Sequence, residues 1–189
     1  ELLKSLPEPK QYAKKILQIL KQKGFLEEDW NLAMAVAGQK KYSKTLIDII
    51  TILQSLTDDF SSEIIELLEE VEGSGEDNWT FGKLVAKYQD EAAVIACINL
   101  FSSLYNKNPK KAFILLKYHG ITGMGWLSCK NFGMLLAKYQ TAEVLLAYKK
   151  LLMFFPEESR LDIVEHVANG WSLMLEIALY QPIEVVTDF

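Results

Sequence analysis

The chain has 189 residues, half of them apolar and 24% charged, a balance that excludes a disordered chain and suits a soluble folded one. Twenty basic against 25 acidic residues leave a formal charge of −5, which argues against generic phosphate-backbone binding, since that needs clustered Lys and Arg. Two Cys and two His rule out an all-thiolate zinc site, and no apolar run reaches the length of a membrane span.

In chain order, a first helix is expected from Lys10 to Lys23, ended by Gly24. An internal repeat follows. The four Trp stand at positions 30, 79, 126 and 171, and three of them restart one phrase: Asp29-Trp30-Asn31-Leu32, Asn78-Trp79-Thr80-Phe81 and Gly170-Trp171-Ser172-Leu173. The phrase closes alike in Ala86-Lys87-Tyr88-Gln89, Ala137-Lys138-Tyr139-Gln140 and Ala178-Leu179-Tyr180-Gln181, with a looser Ala37-Gly38-Gln39 in the first copy. In the third copy Trp126 lies four residues too early, and Lys130 takes the aligned place. A period near 47 residues is the mark of a repeat array.

Each unit predicts three helices. The first runs from Trp to Gln, with Phe81, Leu84, Val85 and Tyr88, and Phe132, Leu135, Leu136 and Tyr139, at i, i+3, i+4 and i+7. The second spans Lys44 to Leu56, Ala92 to Tyr105 and Ala142 to Phe155; apolar nearly all round, it belongs in the middle. The third opens at Ser61-Ser62-Glu63, at Asn108-Pro109 and at Phe155-Pro156-Glu157-Glu158, and stops at Gly73-Ser74-Gly75, Gly120 and Asn169-Gly170. The expected fold is all-α: a right-handed helical-repeat solenoid, with 1–27 as N-terminal helix, repeats over 28–76, 77–125 and 126–170, and a partial fourth over 171–189. A single triplet cannot cover its own apolar stripe, so neighbours must cover it.

Asn169 to Val186 resembles an ankyrin phrase, in which a Gly-x-Thr opening leads to an Ala-rich helix and then Glu-Val-Val; Asn78 to Val94 is a second match. The period is longer than the 33 residues of ankyrin, a third helix is added, and the Pro-Leu-His of the opening is absent. The closer likeness is to the ankyrin-like helical repeats of secreted effectors of intracellular bacteria. That resemblance implies a scaffold binding another protein, a host protein in the host cytosol, and it transfers no catalytic residue.

Chemistry within the chain has few candidates. Gly120-Ile121-Thr122-Gly123-Met124-Gly125 follows a helix and lacks the Lys-Ser/Thr of a phosphate loop, so it reads as a connection. Cys129 with His119 or His166 would be the only nucleophile and base, but no third orienting group is evident, and Cys97 and Cys129 sit on apolar stretches. Neither a cofactor nor a metal site is expected. Tyr88, Tyr139 and Tyr180, and the four Trp, are expected to pack between units, and Gln89, Gln140 and Gln181 to satisfy backbone groups at the turn into the second helix.

The outward positions of the first helices carry the expected binding surface: Lys83 and Lys87, Met134 and Lys138, Leu175 and Leu179. The last two are apolar where sister helices carry Lys, so a partner or a further unit beyond Phe189 should cover them. From Thr57 to Gly82 there are nine acids and no Lys or Arg; Glu66, Glu69, Glu70 and Glu72 form an acidic edge, either a solvated face or one that steers a basic partner. The expected activity is protein binding without catalysis, with no nucleic acid and no membrane insertion. The alternative is a regulatory or substrate-presenting segment of a larger enzyme.

Overall fold

The computed structural model describes residues 9–24, 30–71, 79–117, 130–165 and 170–189. Trp126, the glycine-rich stretch 120–125, Cys129, His119, His166, Glu72, the stop at 73–75 and Asn169 lie outside the described residues.

Every regular element among the described residues is helical. A 3-10 turn over Pro9–Tyr12 leads into α1 (Ala13–Leu20). Then come α2 (Leu32–Ala37), α3 (Ser43–Ser55) and α4 (Thr57–Glu69), followed by α5 (Phe81–Tyr88), α6 (Glu91–Lys107) and α7 (Pro109–Leu116). The chain closes with α8 (Phe132–Tyr139), α9 (Ala142–Leu152), α10 (Glu157–Val164), α11 (Leu173–Tyr180) and α12 (Ile183–Asp188). A second 3-10 turn, Lys40–Tyr42, joins α2 to α3.

The starts of α2, α5, α8 and α11 follow from one polar residue each. Asn31, Thr80, Asn131 and Ser172 are extended, and each accepts through its side-chain oxygen from the N–H three residues on, at Met34, Lys83, Met134 and Leu175. Such a cap is worth ~1 kcal/mol. Asn108 caps α7 in the same way, with Pro109 at the first helical position, where its missing N–H costs nothing. Two third helices differ from expectation. α4 begins at Thr57 rather than near Ser61, but Phe60 (φ −133°, ψ 26°) interrupts it, so the regular turn does start at Ser61. α10 stops at Val164, short of Asn169-Gly170.

The helices pack in rows. Consecutive members of α2, α5, α8 and α11 lie against one another, as do those of α3, α6, α9 and α12 beside them. α4 packs on α7, and α1 packs on both α4 and α2. α6 touches α3, α4, α5, α7 and α9 and buries Val94, Cys97, Ile98, Leu100, Phe101 and Leu104, the central place its composition predicts. One contiguous apolar cluster extends from Ala13 to Val185.

Close approach between the first two rows depends on two glycines inside helices. A Cβ on Gly133 would lie 2.6 Å from a ring carbon of Tyr148 on α9, a side chain wholly enclosed and set edge-on to Phe132. On Gly82 the nearest atom would be 3.3 Å away, at the rim of Phe101. Replacing an interior helical Gly by Ala gains ~1 kcal/mol of helix propensity, whereas overpacking a rigid core costs about 1–3 kcal/mol. Gly133→Ala is therefore expected to lower the thermal midpoint, while Gly82→Ala leaves it within a few degrees of wild type; equal midpoints for the two variants would contradict the packing described.

Candidate protein-binding surface

The last carbonyls of a helix have no intrahelical donor, and the ends of the first-row helices solve this with a side chain from elsewhere. Gln89 Nε2 donates to the Ala37 carbonyl at 2.7 Å. Gln140 Nε2 donates to the carbonyls of Ala86 at 2.8 Å and Gln89 at 3.2 Å. Gln181 Nε2 donates to those of Ala137 at 2.7 Å and Gln140 at 3.0 Å. The glutamines do serve the turn after the first helix, but it is the turn of the preceding phrase, some 40 to 55 residues back. Other cross-ties lie near these ends. Ser43 Oγ donates to Asp90 Oδ2 at 2.5 Å, and Thr141 Oγ1 to Glu91 Oε2 at 2.9 Å. The Ser43 hydroxyl and then the Ala93 N–H hold the Asp90 carboxyl below the usual carboxylate range, against the opposing effect of burial.

The tyrosines preceding these glutamines are exposed rather than packed between phrases, contrary to expectation. Tyr88, Tyr139 and Tyr180 are the last residues of α5, α8 and α11, and all three are exposed, the Tyr88 ring lying 5.9 Å from that of Trp79. Lysines lie across them. Lys87 Nζ is 4.8 Å from the centres of both Trp79 and Tyr88. Lys138 Nζ is 5.4 Å from Tyr139 and 5.6 Å from Tyr180 on the next helix. Cations over aromatic faces at such distances are attracted by ~0.5–1 kcal/mol each at exposed sites. The outcome is an edge of half-exposed lysines and exposed tyrosines running along the ends of α5, α8 and α11.

Of the six positions expected on the surface, Lys87, Lys138 and Leu179 lie on this edge, and Leu175 is exposed at the far end of the row. Lys83 and Met134 do not face solvent. They are 3% and 0% exposed. Both belong to helices flanked on two sides, α5 by α2 and α8, and α8 by α5 and α11, so the face opposite the core is covered too.

A buried ion pair escaped the sequence reading. Lys130 donates through Nζ to Glu176 Oε1, and the two residues are 5% and 0% exposed. The same ammonium lies 5.1 Å from the Trp171 ring. A signal was present. Lys130 replaces the Trp of the phrase, and Glu176 stands where α5 and α8 carry Leu84 and Leu135; two departures from the pattern, 46 residues apart, meet.

The acidic edge is partly occupied from within. Glu66 is 3.8 Å from Lys21 Nζ and 3.5 Å from Lys111 Nζ, so it links α4 to α1 and α7. Glu70 is 3.0 Å from Lys23 and accepts from Asn31 Nδ2 at 2.6 Å. With Glu69, Lys21 and Ile114 these carboxylates line an open depression of about 510 Å³. Exposed pairs of this kind add ~0–1 kcal/mol each. Burial pushes the Cys97 thiol well above its ordinary value, so this thiol is not poised as a nucleophile. Among the described residues no three His, Cys, Asp or Glu side chains converge to hold a metal, and no helix is long and apolar enough to cross a membrane.

Neither the family models, the curated proteins nor the solved structures with which the chain was compared give a match.

Two measurements follow from these contacts. Gln140→Leu removes both amide donations while keeping the side chain's bulk, and is expected to destabilise by about 1–3 kcal/mol in urea unfolding, the range for leaving buried partners unmade. Lys130→Met leaves a buried carboxylate unpaired, a change that costs about 3–5 kcal/mol. Adding Glu176→Leu, the residue of the sister helices, should restore most of that loss, and a double variant no more stable than Lys130→Met would refute the pairing.

Proposed function

We propose that this chain is a non-catalytic scaffold in which stacked three-helix units form an α-solenoid, and that its tyrosine- and lysine-bearing edge binds another protein. One observation carries this reading: Gln89, Gln140 and Gln181 each bond the carbonyls of the unit before. A contact renewed from unit to unit supports an array built on neighbour interactions, and such arrays present long preformed surfaces. Along that surface Lys87, Lys138 and Leu179 hold one row and Tyr88, Tyr139 and Tyr180 the next. Tyrosine suits an interface because it offers a large stiff apolar area with a polar tip, and a few such anchors supply most of the binding energy. The lysines limit the freedom of the rings before any partner arrives, which reduces the ordering cost of binding. The likeness of the repeated phrase to the ankyrin-like repeats of secreted bacterial effectors extends the proposal to a host protein, met in the host cytosol.

The test is a triple substitution, Tyr88→Ser, Tyr139→Ser and Tyr180→Ser. Because these rings are exposed, helicity and thermal midpoint should stay close to wild type. Proteins captured from host-cell extract by the wild-type chain should be lost with the variant, since removing several anchors of ~2 kcal/mol each lowers affinity more than a hundredfold. An identical set captured by both chains would place binding elsewhere and overturn the assignment of this edge.

A further inference from the structure

Among the described residues the two ends of the helix rows are open and complementary, and the geometry points to head-to-tail self-association, the C-terminal end of one copy seated on the N-terminal end of the next. This rests on the stacking proposed above and shares only Leu179 with the tyrosine edge.

At the C-terminal end, Leu175 is 39% exposed, whereas Met34, Lys83 and Met134 at the same place in the phrase are 0%, 3% and 0%. Each of those three lies on a helix with a following helix in the row; α11 has none among the described residues. Met174, Leu179 and Ile183 extend the apolar face. Hydrogen-bonding capacity is left over as well. The Ala178 carbonyl stands where those of Ala37, Ala86 and Ala137 each receive a glutamine amide. The residue four positions on is Pro182, which has no N–H, so the helix itself offers no donor. The Gln181 carbonyl continues the acceptor series of Gln89 and Gln140.

At the N-terminal end the pattern is reversed. Leu32 is only half-buried, although Phe81, Phe132 and Leu173 in its place are enclosed. It lines an apolar groove of about 180 Å³ with Ile19, Leu20, Val36, Ile49 and Ile52. Gln39 closes the first phrase at the end of α2, where the later glutamines supply their amides. Charge agrees. Exposed Lys40, Lys41 and Lys44 surround the start of α3, while exposed Glu184 and Asp188 lie on α12, the opposite member of that row. One end therefore presents acceptors, acids and protruding Leu and Ile side chains, and the other a donor, lysines and a groove. Pairing of like ends would set acids against acids and acceptors against acceptors, so the favoured contact is heterologous. A contact of that kind leaves a free end on every two-copy complex, so assemblies grow with concentration, into a ring if the rotation closes and an open chain if it does not.

Sedimentation velocity over micromolar to near-millimolar concentrations tests this with two end-blocked variants, Leu175→Glu/Leu179→Glu and Ile19→Glu/Thr45→Glu, all at exposed positions. Circular dichroism checks that both fold. The wild-type chain should give a mass that rises with concentration, and each variant alone should remain a monomer. A one-to-one mixture should form a two-copy complex and stop there, because each variant keeps one intact end. A wild-type monomer throughout, a mixture that stays monomeric, or dimers formed by either variant alone would each overturn the inference. If the wild type is monomeric while Gln140→Leu still destabilises, end-to-end contact falls and the stacking stands.

Discussion

The amide of a glutamine bonded to carbonyls in the preceding phrase is the contact on which the rest of this molecule depends. Helices of six or eight residues are too short to persist alone, because nucleation is costly and few internal bonds repay it. α2, α5 and α8 survive because both of their ends are closed: at the start by their own Asn or Thr, at the finish by a glutamine from the next phrase. The second closure is borrowed. Each short helix is thus completed only when its neighbour has folded, which couples local structure directly to the order of the row.

Against that constraint, the reuse of Ala-Lys-Tyr-Gln has a residue-by-residue account. Ala86 and Ala137 are fully enclosed and supply the accepting carbonyls; the Lys lies over aromatic rings; the Tyr points to solvent; the Gln reaches back. The opening of the phrase is equally constrained. Its polar residue caps, and the glycine two positions later, in α5 and α8, makes room for Phe101 and Tyr148. Where the pattern is broken, as at Lys130 and Glu176, the two exceptions neutralise one another inside the protein.

Much of the fold was legible in the sequence because its signals are local. The Asn108-Pro109 start of α7 and the nearly all-round apolar character of α6 each state their structure within a few residues. The surface was less legible. Lys83 reads as solvent-facing because a charged side chain usually is, and its burial depends on helices on both sides of α5. Tyr88 shares a helical face with Phe81, yet Phe81 is enclosed and Tyr88 is exposed, although Val85, Ala86 and Gln89 beside it are buried; periodicity gives a direction around an axis but not the burial at each point along it. The Lys130–Glu176 pair needed the three-dimensional alignment of two separate phrases to be seen at all.

Cys97 sits near the midpoint of the chain, on α6, with its side chain fully buried. A thiol held in that state is chemically silent, because only its thiolate reacts. In a chain whose other cysteine has been replaced, alkylation of Cys97 becomes a clock that runs only when the centre opens. Comparing its rate with amide exchange near α1 and α12 would tell whether the molecule loosens from its margins inward or breaks apart in a single event.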